Sequence, residues 1–153
     1  MNSVRHEILN AMVSAYRAVD QPGWPIKFSV VGLGPLADAD HTKRFSIGVV
    51  AGPENQTYVF PYIQCTLQVG IEFRITVNRG DAKPGVLAEE LLTVVKRVLI
   101  DNRTWGGRAI DTKITGAEID MTTYGDRTIM GVCFCEVLYR HSHLDPRNPN
   151  PDA

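Results

Sequence analysis

Three places in the sequence combine residue types that could do chemistry. In the loop from Gly32 to Lys43, Asp38, Asp40 and His41 set two carboxylates beside an imidazole, the makings of a metal site or an acid/base pair. Against that reading, Gly32-Leu33-Gly34-Pro35 is not a dinucleotide fingerprint, no helical pattern follows it, and Gly, Pro and Asp are what surface loops are made of. The second place is Cys133 and Cys135, with His141 and His143 downstream as further metal ligands. Two residues apart on one strand, their Cα atoms would be about 6.5 Å apart with parallel side chains, at the far edge of disulfide geometry. The Cys-x-Cys spacing is also not that of a zinc knuckle, so these thiols and Cys65 read as buried small hydrophobes. The third, Arg79-Gly80-Asp81, spells the integrin-binding tripeptide, although a turn between a strand and a helix uses Gly and Asp for its own geometry. The chain carries no phosphate-binding Gly-rich loop, no nucleophile elbow, no His-Glu-x-x-His and no Cys-x-x-Cys pair. The expectation is a protein that is not an enzyme and holds no metal or cofactor.

Composition narrows the remaining classes. A chain of 153 residues fits one domain with a single core. Sixteen Lys and Arg against 17 Asp and Glu leave a net charge of -1, which provides no overall electrostatic footprint for nucleic acid or an anionic membrane. Arg5 and Glu7 interrupt the apolar pattern at the N-terminus, so it does not read as a signal peptide. No run approaches the roughly 18 apolar residues of a membrane span. These features predict a protein made and kept in the cytoplasm of its producing cell.

The elements that must carry any site are organised around Leu67 to Val77. Leu67, Val69, Ile71, Phe73, Ile75 and Val77 alternate with Gln68, Gly70, Glu72, Arg74 and Thr76, the pattern of a strand with one buried face. Before it, Ser3 to Val19 has helical spacing, Lys27 to Val31 is a short strand, and Arg44 to Ala51 is another. Gly52 to Gln56 reads as a turn, after which extended structure resumes from Thr57, with an edge, bulge or break at Pro61. So long an extended region predicts a projecting strand or hairpin that needs something to pack on. Asp81 is a possible cap and Pro84 opens a helix to Asn102, with Leu87, Leu91, Val94, Val95 and Val98 on its inward face. Trp105, beside Gly106-Gly107, is either an exposed contact residue or a lid folded over the core. Ala109 to Met121 is a strand whose apolar phase changes at Gly116, a bulge signal. Arg127 to Tyr139 is apolar on both faces and reads as a central strand covered twice. The stretch 144–153 reads as a disordered Pro-rich tail behind a domain of residues 1–143. The fold class is therefore α+β: a single domain with a mixed, mostly antiparallel sheet, two helices on one face and a long projecting strand or hairpin.

In order, RFSIGVVA, YIQCTLQVGIEFRITV, the turn NRGDAKPG, the amphipathic VLAEELLTVVKRVLID, AIDTKITGAEIDM, the turn TTYGD and TIMGVCFCEVLYRH resemble the tail terminator, or tail completion, proteins of tailed bacteriophages. VRHEILNAMVSAY occupies the place of that family's first helix, while the Gly32 to Lys43 loop and the Pro-rich tail fall outside the resemblance. The resemblance implies a structural virion protein, present in host cytoplasm during assembly, that forms a hexameric ring. Such a ring caps the tail tube, ends polymerisation of tube protein, docks to the head-tail connector or stopper protein, and passes genomic DNA through its lumen without sequence readout. No membrane partner is implied. On this reading Gln68, Glu72, Arg74 and Thr76 line the subunit interface or the lumen, with Glu72 and Arg74 of neighbouring copies able to pair; an ordinary solvated sheet face is the plain alternative. Pro53, Glu54, Asn55 and Tyr58, with Tyr124, Asp126 and Arg127, are candidates for contact with tube or connector. The rival assignments are a head completion or stopper protein of the same neck and, from a different class, a small-molecule-binding or enzymatic α+β domain.

Overall fold

The structure, a computed structural model, describes residues 2–19, 27–36, 44–77, 83–120 and 128–149. The elements run α1 (Val4–Arg17), β1 (Val30–Leu33), β2 (Phe45–Val59), β3 (Tyr62–Thr76), α2 (Pro84–Asp101), β4 (Asp111–Asp120) and β5 (Thr128–Ser142). The strands form one sheet in the order β1-β2-β3-β5-β4, so β3 is its centre. Among the described residues only β1 and β2 pair in parallel; the other neighbours are antiparallel. This is the expected single α+β domain.

Both helices lie on the same face of the sheet. In α1, the Ser3 side chain accepts the His6 amide at 3.0 Å, and Val4, Ile8, Leu9, Met12, Val13 and Tyr16 form the buried stripe. In α2, Pro84 opens the first turn and Ala88, Leu91, Val94, Val95, Val98 and Leu99 are buried. The N-cap position is Lys83, whose side chain makes no capping bond; Asp81, expected to cap, lies outside the described residues. The buried Tyr16 hydroxyl donates to the Val95 carbonyl at 2.9 Å and ties the helices together. Burial pushes that phenol's pKa well above its ordinary value. Beneath the helices, Leu67, Val69, Ile71, Phe73 and Ile75 of β3 meet Cys133, Cys135 and Val137 of β5 in one core cluster. The Phe73 ring lies over Gly131, where a Cβ would strike the ring and come within 2.7 Å of the Glu118 carbonyl. Trp105 takes the lid position: it is buried at positive φ, and its indole N–H donates to Thr112 Oγ1 at 2.7 Å.

Four expectations are corrected. Gly52 to Gln56 is a bulge inside a continuous β2, with register slipping between Ala51 and Glu54, because the pairing with β3 resumes at once; the chain reverses at Phe60-Pro61. The hairpin does not project alone, since β5 pairs with β3 from Tyr62↔Ser142 to Thr76↔Thr128 and follows it to the tip. Although β5 is interior to the sheet, it is covered on one face only: Phe134 on the other is 40% exposed. Finally, residues 144–149 of the expected disordered tail are folded against the domain. Pro146 O accepts the amide of Val4, one of the first-turn donors a helix leaves unsatisfied, and Asn148 O accepts that of Ser142. The Asp145 carboxylate closes this turn by accepting from the Arg147 amide and guanidinium, and that contact holds its carboxyl below the usual range. The bulge expected at Gly116 is present, between Ile114 and Gly116.

Candidate functional site

The sheet face away from the helices carries Gln68, Gly70, Glu72, Arg74 and Thr76 of β3, flanked by Ser46, Gly48 and Val50 of β2 and by Met130, Val132, Phe134 and Glu136 of β5. Its two halves differ. Over the β1 end, the chain leaving β1 crosses the sheet: the Gly34 amide donates to Val49 O at 2.8 Å, and Leu36 settles over Gly48. A Cβ on Gly48 would lie 2.5 Å from Gly34 O and 3.1 Å from Leu36 Cγ, so only glycine admits the crossing. The Leu36 amide donates to Glu72 Oε1 at 3.1 Å, while its carbonyl accepts from Arg74 Nη1 at 3.4 Å. Arg74 Nη2 also lies 3.4 Å from Ser46 Oγ, and the side chain is 1% exposed.

Arg74 is thereby corrected. It does not stand on a surface open to a lumen or a neighbour, and its contacts are within the chain, because the Gly34–Leu36 crossing seals it. Glu72 is half-buried and held by the same crossing, so the pairing of Glu72 with a neighbour's Arg74 has no geometry to form it. Gln68 donates to Glu136 Oε1 at 2.9 Å, and Thr76 ends β3 half-buried, its amide bonded to Arg44 O.

Among the described residues, nothing covers the face beyond the crossing. Gly70 forms the floor of a groove of about 370 Å³, walled by Val50, Pro53, Val132 and Phe134 and bordered by Gln68 and Glu72. Absence of a side chain at Gly70 makes this hollow, since a Cβ there would fill space 3.3 Å from Val132 Cγ2. The apolar outward positions of β5, read from sequence as a second buried face, are the walls. That doubly apolar pattern was the signal for the groove.

At the other end of the sheet, the hairpin tip presents Tyr58, Phe60 and Leu144, exposed by 63%, 72% and 75%. His143 braces it: the ring centroid lies 5.2 Å from that of Phe60, tilted, and 6.4 Å from that of Tyr58, edge-on, and both its amide and Nδ1–H donate to Pro61 O. Of the candidates for tube or connector contact, Pro53, Asn55 and Tyr58 are exposed. Glu54 is not free for that task, because the bulge turns it toward the helices. There its carboxylate accepts a very short hydrogen bond from the Tyr139 hydroxyl and meets Arg5 Nη1 at 3.5 Å. Burial, with the Glu54 carboxylate beside it, pushes the Tyr139 phenol far up. Tyr124, Asp126 and Arg127 lie outside the described residues, as do Asp38, Asp40, His41 and Arg79 to Asp81.

The structure does not assemble the metal set from the cysteine strand. Cys133 and Cys135 point into the core as free thiols. Cys135 and His141 are about 20 Å apart along β5, and the His143 ring is committed to Pro61. Burial pushes all three thiols up, Cys135 to about 12, so none is a ready thiolate ligand or nucleophile. Among the described residues no three His, Cys, Asp or Glu side chains are placed to share a metal, and no helix is long and apolar enough to cross a membrane. Comparison with protein-family models and with curated proteins finds no match for this chain.

Proposed function

We propose that this chain is a structural subunit of a tailed bacteriophage. Six copies form a ring that caps the tail tube, ends its polymerisation, joins it to the connector or stopper of the filled head, and lets DNA pass without sequence readout. Its place is the virion neck, after assembly in host cytoplasm. The number six and the tail context rest on the resemblance of the strand and helix phrases to tail terminators.

The observation that carries the reading is the one-sided cover of the sheet. Both helices pack on one face, and the other keeps an open apolar centre at Gly70, Val132 and Phe134. An open apolar hollow on an uncovered sheet face suits a subunit that meets its neighbours through its sheet. Pro53, which walls the groove, and Gln68 and Glu72, which border it, belong to the interface; Arg74 leaves the interface set and becomes a structural residue. A surface with carboxylates at Glu72, Glu118 and Asp120 on one shallow hollow suits a passage that does not retain phosphate.

Light scattering on the purified chain, alone and with polymerising tail tube protein, tests the reading. A ring, or a monomer recruited into a ring on tube ends that stops their growth, is expected. Rings that bind the head connector and leave tubes growing would assign the chain to the stopper role. A monomer or dimer indifferent to both would sink the structural reading and favour a small-molecule-binding or enzymatic domain.

A further inference from the structure

The hairpin tip and the open groove are complementary in shape and chemistry. The tip is an apolar knob of Tyr58 and Phe60, with exposed Leu144 next in sequence to His143, whose ring packs on both aromatics and is bonded to Pro61; that bracing lowers the entropy lost when the knob docks. The groove is an apolar hollow with a glycine floor. Within one copy they cannot meet: Tyr62 at the tip and Gly70 at the floor lie on the same strand, about 25 Å apart at ~3.3 Å per residue.

We infer that the knob of one copy seats in the groove of the next, with Phe60 against Phe134 and Val132 over Gly70. This inference rests on the ring reading and names the contact that would close the ring. Each copy offers one knob and one groove at separate places, so the contact is heterologous and propagates around a ring, where a knob-to-knob contact would stop at a dimer.

Two substitutions test it, each of an exposed side chain: Phe60→Ser at the knob and Phe134→Ser at the groove. Each is expected to weaken self-association by about 30-fold or more, the loss typical of an aromatic anchor, with the thermal melt of the domain unchanged. Mixed in equal amounts, the two variants should form a one-to-one dimer of twice the 17.0 kDa chain mass and nothing larger. The intact knob of the Phe134→Ser copy then fills the intact groove of the Phe60→Ser copy. As a second readout, the double variant Phe60→Cys/Val132→Cys treated with a bis-maleimide should give a ladder of linked copies that neither single variant gives. Wild-type rings that persist in both serine variants would overturn the contact and leave the ring reading standing. A Phe134→Ser chain that dimerises by itself through its knob would overturn it in favour of a knob-to-knob contact. A wild-type chain that never assembles, alone or on tubes, would overturn both.

Discussion

The two faces of β3 are built from one run of alternating residues, yet they follow different rules. On the helix side Leu67, Val69, Ile71, Phe73 and Ile75 are all sealed, because two amphipathic helices lay a continuous apolar cover over them. On the other side the environment changes between neighbours: Arg74 is buried under Leu36, Glu72 is pinned by the Leu36 amide, and Gly70 floors an open hollow. Alternation specifies which residues share a face. It does not specify what covers that face, and here a single crossing segment, Gly34–Leu36, divides a sealed polar patch from an apolar surface.

The sharpest test of the sealed face is its largest ring. Phe73→Ala removes a side chain that fills the space over Gly131, and should cost about 3–5 kcal/mol in chemical denaturation. Gly131→Ala should reproduce much of that loss from the opposite side, by driving a Cβ into the ring and toward the Glu118 carbonyl. If both variants unfold near the wild-type midpoint, the helix-side face is not packed as described. On the other face, Arg74→Glu should cost about 3 kcal/mol, since it sets a carboxylate against the Leu36 carbonyl and beside Glu72 in a site closed to water. A soluble, fully stable Arg74→Glu chain with altered assembly would return Arg74 to the interface.

Local pattern was enough for the helices, the core side of β3, the bulge at Gly116 and the α+β class, because each depends on periodicity or turn chemistry within one segment. What was not legible depends on where distant segments fall. Nothing near Arg74 announces that Leu36, 38 positions earlier, will cover it. Nor does Glu54 announce that a bulge will turn it toward Tyr139, 85 positions later. The double apolar pattern of β5 was visible, and reading it as twofold cover went wrong because an interior place in a sheet settles pairing, not cover. Half of the candidate site was therefore readable as Gln68 and Glu72, while its apolar centre required the topology.

Two medium effects separate the helix-side interior from the wet face. Tyr139→Phe removes the donor that Glu54 accepts in a partly buried site, and should cost about 1–2 kcal/mol at neutral pH. The thiols supply a pH test. Their folded-state pKa values are raised by burial, that of Cys135 to about 12, against about 8.5 in an unfolded chain. The unfolded state therefore releases its protons first as pH rises. Stability should not depend on Cys135 below about pH 8.5, and should fall between there and about pH 12 by up to ~1.4 kcal/mol per pH unit while that thiol stays protonated in the fold. In melting curves, the stability of wild type relative to Cys135→Val should fall as pH rises above about 8.5; a difference that does not change with pH would show that this thiol titrates normally in the fold.

The smallest expected effect on folding bears most directly on function. Phe134 lies on the same strand as Cys133 and Cys135, yet it points into the open hollow and is 40% exposed. Replacing it with serine removes an aromatic ring from the groove wall without opening the core, so the unfolding free energy should change by no more than about 0.5 kcal/mol. A core phenylalanine truncated on the helix side costs several times that. A loss above about 2 kcal/mol at Phe134, measured by urea denaturation at a concentration where the chain is monomeric, would mean that the groove is filled within each copy. The two faces of β3 would then be alike in kind, and the case for a partner on the second would be gone.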